Sequence, residues 1–172
     1  MKNLRELSDR YHPVLGTTTV VTARNAPRLA SIASLLMDEG VPTLRFKHCF
    51  EGAEGADVTL VARYADLMGH VREAVRTVRA RGAMVSVTHF PLCLLGDEAV
   101  FATDLTEEDI LSINRDGEVL VDGRASDHRR GAASVCEGCA LAPVCTKLDS
   151  RYVAVHGESE LRPVVGRAAL KD

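Results

Sequence analysis

Apolar positions alternate between two rhythms along the first half of the chain. Residues Thr17 to Thr22 (TTTVVT) are β-branched throughout, which predicts a strand buried on both faces. A helix is expected next. Asn25 can cap it, Pro27 suits its first turn, and Leu29, Ile32, Ala33 and Leu36 form a stripe at helical spacing. Gly40 is a natural C-terminal stop, and Pro42 leads into a short strand from Thr43 to Lys47. The order then repeats. Leu67, Val71, Val75 and Val78 recur at helical spacing, Gly82 closes that helix, and Met84 to Thr88 reads as a third strand.

The β-α-β-α-β order implies parallel strands joined by right-handed crossovers, so the fold class is α/β. Three strands make an incomplete parallel (β/α) barrel or part of a doubly wound sheet. The connection HCFEGAEGADVTLVAR, between Lys47 and Tyr64, is longer than a strand-to-helix turn needs and follows a strand's carboxyl end. Parallel α/β folds place ligands at that edge, which makes Lys47, His48, Glu51 and Glu54 candidate site residues. An inert surface loop is the competing reading.

The pattern changes after His89-Phe90-Pro91-Leu92-Cys93. Asp104 or Thr106 can cap a short helix through Leu111, with Glu107 to Asp109 near its N-terminal dipole. Arg115-Asp116-Gly117 reads as a turn into a strand from Glu118 to Val121, and Asp122-Gly123 as a second turn. Residues 1–95 thus form the barrel-like unit, and residues 96–172 a small, irregular, cysteine-rich α+β extension. A unit so poor in helix needs something besides a large core to hold it, and a bound metal would serve.

Composition narrows the chemistry. The 172 residues carry a formal net charge of −3, which gives no whole-protein attraction to nucleic acid. The charged start MKNLRELSDR lacks the apolar core of a secretory signal, and no apolar run approaches the roughly 18 residues that span a bilayer, so a cytoplasmic protein is expected. In a reducing compartment, clustered cysteines bind metal or do redox chemistry more often than they form disulfides. Three of the five cysteines fall in CEGCALAPVC. Cys136 and Cys139 have C-x2-C spacing, which lets two thiolates converge on one ion or cluster, and Cys145 follows. Cys93, where the chain leaves the last predicted barrel strand, is the candidate fourth ligand.

Four readings of these thiols compete. Structural zinc usually takes two short-spaced pairs, whereas an iron–sulfur cluster tolerates a remote fourth cysteine and fits the spacing better. A redox C-x2-C belongs at the start of a helix in a thioredoxin-like setting, which is absent at Cys136. Incidental thiols account for Cys49 but poorly for three cysteines so close together.

The run TVVTARNAPRLASIASLLMDEGVPTLRFKHCFEGAEG resembles the fourth and fifth strand units of the partial (β/α)6 barrel of radical S-adenosylmethionine enzymes, and MVSVTHFPLCLLG their last barrel strand. The tail, with Cys136-x2-Cys139-x5-Cys145 and Arg151-Tyr-Val-Ala-Val-His156-Gly157-Glu-Ser-Glu160-Leu-Arg162-Pro163, is similar to the auxiliary SPASM or twitch extension of that family. The resemblance implies one auxiliary 4Fe–4S cluster on Cys93, Cys136, Cys139 and Cys145, and S-adenosylmethionine contacts from Arg24 and Asn25.

Two departures stand out. The family's early C-x3-C-x2-C, which binds the cluster that cleaves S-adenosylmethionine, does not occur here, and Asp149 stands where a full SPASM pattern continues C-x3-C. The implied protein is therefore the carboxyl-terminal part of such an enzyme. It would use S-adenosylmethionine only with the missing amino-terminal barrel half or a partner chain supplied, on an unspecified peptide or small-molecule substrate. A non-catalytic metal-binding module acting with a partner chain is the alternative.

Several further residues have two readings each. Asn25 is a helix cap or a cofactor contact, and His89 faces the barrel interior or is a core histidine. Arg124, His128, Arg129 and Arg130 form an anion site or an exposed basic loop. Tyr152 and His156, read at strand spacing, pack beside the cysteines or merely against the sheet.

Overall fold

The computed structural model describes residue 6 and residues 16–49, 58–103, 111–113, 119–121, 130–131, 134–145 and 148–165. Strands β1 (Gly16–Val21), β2 (Thr43–His48) and β3 (Met84–Thr88) form a parallel sheet in the order β1-β2-β3. Helix α1 (Leu29–Asp38), entered through a 3₁₀ turn at Ala26–Arg28, joins the first two strands, and α2 (Tyr64–Ala80) precedes the third. The architecture is mixed α/β with a three-stranded parallel sheet, as the apolar rhythm implied.

The helix stops follow from two glycines. Gly40 and Gly82 have φ of +81° and +73°, a left-handed turn that side chains disfavour. Each lets the next residue reach back: Val41 N–H donates to Leu36 C=O at 3.1 Å, and Ala83 N–H to Val78 C=O at 3.3 Å.

One sheet face makes the core. Val21, Leu44, Phe46, His48 and Val87 are buried against Leu29 and Ala33 of α1 and Leu67, Val71, Val75 and Val78 of α2. The α2 stripe read from the sequence is buried at every position. The other face is polar and partly open: Thr18 is exposed, Arg45 Nε donates to Ser86 Oγ at 3.3 Å, and Val20 and Met84 are 45% and 58% exposed. The expectation that TTTVVT is buried on both faces is therefore corrected. Burial along β1 alternates because α1 and α2 share one side of the sheet. A second correction concerns His48. It ends β2 with its side chain in the core, not in a loop.

After β3 come the short helix α3 (Leu92–Leu95) and a 3₁₀ segment, Gly96–Phe101. Arginines tie this stretch to α2. Arg72 Nη2 donates to Leu94 C=O at 2.7 Å, Arg72 and Arg76 approach the Glu98 carboxylate at 3.7 and 3.4 Å, and Arg79 lies 5.1 Å over the Phe101 ring. Glu98 is a buried carboxylate with two cationic partners, the usual condition for keeping such a charge inside.

The remainder is small. Strands β4 (Leu111–Ile113) and β5 (Val119–Val121) pair antiparallel, as do β6 (Arg130–Gly131) and β7 (Leu148–Asp149), and α4 (Ser150–His156) follows. The strand expected at Glu118 to Val121 is present as β5. The helix expected through Leu111 does not extend that far, because Leu111 opens β4; its earlier residues, and the two predicted turns, lie outside the described residues. Among the described residues no helix is long and apolar enough to cross a membrane.

His48 makes the core sensitive to pH. It is 1% exposed, its ring lies 4.6 Å from Tyr64, 5.3 Å from Phe90 and 5.8 Å from Tyr152, and neither nitrogen has a hydrogen-bond partner of ordinary geometry. Burial lowers its pKa from 6.5 to about 4; the Ala62 backbone opposes the shift, and His156 adds to it. The unfolded chain therefore takes up this proton first, and stability falls as pH drops from about 6.5 towards 4. Between pH 7 and 5 the loss from this residue is about 2 kcal/mol. Urea unfolding of wild type and His48→Phe at both pH values should show that much less acid sensitivity in the variant.

Candidate metal centre

The cysteine-rich loop is coiled by local hydrogen bonds. After a 3₁₀ turn at Ser134–Cys136, Cys139 N–H donates to Cys136 C=O at 3.0 Å, with Gly138 between them at φ +73°. Ala142 N–H then donates to Cys139 C=O at 3.0 Å, and Cys145 N–H to Leu141 C=O at 2.9 Å. Tight turns of this kind place three cysteines on one side of a short segment.

Cys93, carried on α3, meets them from the sheet unit. Cys93, Cys136, Cys139 and Cys145 together line one small cavity of about 20 Å³, closed by Pro91, Leu141, Leu161 and Pro163. All four cysteines are half-buried. Burial pushes the Cys93 thiol up, the Arg162 backbone N–H bonded to its sulfur pulls it down, and the charges of Cys145, Cys136 and Cys139 push it further up. Ala140 N–H donates to Val164 C=O at 2.8 Å, fastening the loop to the tail. Cys49, whose N–H donates to Val21 C=O at 3.1 Å at the end of β2, does not line this cavity.

The donor set is chemically suited to a soft metal, with four thiols and otherwise apolar walls. Among the described residues no group of three or more His, Cys, Asp or Glu side chains is already arranged to hold an ion. The cavity has room for about one water-sized centre. That volume is nearer to one ion than to a four-iron cluster.

A polar clamp sets the wall of this cavity. Helix α2 begins after Arg63, which is no capping residue, so its first amides need outside acceptors. Two tail side chains provide them. Tyr64 N–H donates to the Tyr152 hydroxyl oxygen at 2.9 Å, and Ala65 N–H to Glu160 Oε1 at 3.2 Å. Arg63 Nε donates to the same Oε1 at 3.1 Å, and the Tyr152 hydroxyl donates to Glu160 Oε2 in a short hydrogen bond. Partial burial pushes the Glu160 carboxyl up, but Tyr152, Arg63 and the Ala65 amide outweigh it and hold it below its usual range. Tyr152 is raised in turn, by burial and by the bond it gives Glu160. Leu161 and Pro163 follow directly into the cysteine cavity.

Tyr152 and His156 are on helix α4, not on a strand, which corrects their predicted spacing. Four positions apart on a helix they share a face, with ring centroids 4.8 Å apart. Tyr152 stacks 4.2 Å from Tyr64, and His156 Nε2 lies 2.8 Å from Val61 C=O. Sequence reading missed Arg63 and gave Glu160 no role. The available signal was the missing cap at the start of α2.

The other candidates are dispersed. Arg24 is exposed in the turn after β1. Asn25 makes no side-chain cap; its Oδ1 accepts from Thr22 N–H at 2.8 Å and its Nδ2 donates to Val20 C=O at 2.7 Å, closing that turn instead. Lys47 lies on the polar face of β2, opposite the buried His48. His89 follows β3 with φ of +65°, unusual for a residue with a side chain. Glu51, Glu54, Arg124, His128 and Arg129 lie outside the described residues, and Arg130 is described only through its backbone in β6.

Removing the Tyr152 hydroxyl leaves the Tyr64 amide and the Glu160 carboxylate each short of a partner. Tyr152→Phe should therefore lose about 1–3 kcal/mol in urea unfolding. Arg81→Gln, which removes an exposed 2.7 Å pair with Asp38, should change stability by less than about 1 kcal/mol. Equal losses in the two variants would show that the clamp is not special.

The chain matches no family model, no curated protein and no solved structure.

Proposed function

We propose that the chain is the carboxyl-terminal part of a radical S-adenosylmethionine enzyme, an incomplete (β/α) barrel with one auxiliary 4Fe–4S cluster on Cys93, Cys136, Cys139 and Cys145. The observation that carries this reading is that Cys93, from the sheet unit, lines the same cavity as the three tail cysteines. The parallel sheet also supports it. β1 is an edge strand among the described residues, with Val20 45% exposed, and further barrel strands or a partner chain would pair there.

A bound cluster would supply one-electron chemistry. The four thiolates would hold it, the Arg162 N–H would support one sulfur, and Leu141, Leu161 and the two prolines would exclude water. Four cysteine ligands leave no iron open to substrate, which favours passing electrons over anchoring substrate. Cleavage of S-adenosylmethionine would need the amino-terminal motif absent from this sequence. Arg24 is exposed in the turn after β1, and both polar atoms of the Asn25 side chain are engaged in that turn.

One observation favours a second reading. A cavity of about 20 Å³ suits a single zinc ion better than a cluster, in keeping with a non-catalytic metal-binding module that acts with a partner chain.

Anaerobic purification followed by iron, sulfide and zinc analysis separates the two. The cluster reading expects brown protein with about four irons and four sulfides per chain. Cys93→Ala and Cys139→Ala should lose the colour, and Cys49→Ala should keep it. Colourless protein with stoichiometric zinc would replace the first reading with the second, and protein that takes up neither metal would sink both.

A further inference from the structure

Beside the cysteine cavity, and sharing Cys93 with it, lies a larger cleft of about 690 Å³ between the start of α2, α3 and the tail segment 159–162. That is the size of a small-molecule site. Three arginines line it, Arg63, Arg72 and Arg162, together with the acidic residues Asp66 and Glu160.

The three arginines are not equivalent. Arg63 is engaged by Glu160 at 3.1 Å, and Arg72 by Glu98 at 3.7 Å and Leu94 C=O at 2.7 Å. Arg162 Nη1 donates to the carbonyls of Ser159 and Leu161 at 2.8 and 2.9 Å. Those acceptors are neutral. They fix the guanidinium plane without cancelling its charge, and among the described residues no carboxylate pairs with Arg162. Such a held fork takes a carboxylate side-on through two parallel N–H bonds.

We propose that this cleft binds a small organic carboxylate with an apolar body, its carboxylate on Arg162 and its hydrocarbon part against Met68 and Leu94, which also line the cleft. Shape and the apolar lining select the ligand. A planar carboxylate fits the two parallel N–H bonds of the fork, and the apolar side chains of Met68 and Leu94 offer a surface that a hydrocarbon body can cover and inorganic phosphate cannot. The cleft shares Cys93 with the cysteine cavity, but the carboxylate site on Arg162 needs no bound metal, so failure of the metal reading and failure of this inference are read by different measurements.

The test is a titration of the full chain, as purified, with hexanoate, acetate and inorganic phosphate at fixed ionic strength, read by calorimetry and by amide NMR shifts. Hexanoate should bind saturably, tighter than acetate and phosphate, and move the amides of Ala65, Ser159 and Arg162. Arg162→Gln should weaken hexanoate binding by about tenfold or more. Ser159→Glu, at an exposed position, should abolish it by setting a carboxylate beside the fork, and this keeps the test decisive should Arg162→Gln misfold. Arg81→Gln should leave binding unchanged. Non-saturable hexanoate binding, equal affinity in wild type and Ser159→Glu, or tighter binding of phosphate would each overturn the proposal.

Discussion

The arrangement depends on one carboxylate. Glu160 accepts from the Ala65 amide, the Arg63 guanidinium and the Tyr152 hydroxyl, and so supplies from the tail the acceptor that the first turn of α2 lacks in its own sequence. The partners from α2 are 95 and 97 positions away, so the bond closes a long loop of chain. Buried polar networks of this kind hold one geometry when every member is satisfied and destabilise when one is lost. The cysteine cavity inherits that geometry, because its wall residues Leu161 and Pro163 follow Glu160 in the chain.

Aromatic packing finishes what the clamp begins. Tyr152 stacks on Tyr64 and also borders His48, so a single tail ring reaches both α2 and the last residue of β2. Leu141, Tyr152 and Leu161 consequently belong to the same apolar core as the sheet residues Leu44 and Phe46. The tail is thus held by burial as well as by hydrogen bonds. Its hairpins contribute only short ladders.

Much of this was legible locally. The α2 stripe and the glycine stops at Gly40 and Gly82 depend on residues within one element, and they lie where the apolar rhythm put them. Cys93 and the late trio line one cavity, a neighbourhood that periodicity alone does not suggest. What sequence could not yield was set at a distance. Tyr152 and His156 are four apart, a spacing that suits one face of a helix and one face of a strand alike. β-branched TTTVVT says strand, but whether its second face is covered depends on what packs there. The polarity of His48 suggested a site, while its place in the alternation of β2 sends it into the core.

The two prolines in the cysteine cavity have an electronic consequence. Pro91 and Pro163 carry no backbone N–H, so two of its wall positions cannot direct an amide dipole at a sulfur, and the Arg162 amide is the backbone donor seen on Cys93. Thiolate sulfur without such dipoles would be stabilised chiefly by the metal proposed there. A cluster held there as proposed would be favoured in its oxidised state, with its reduction potential moved downward.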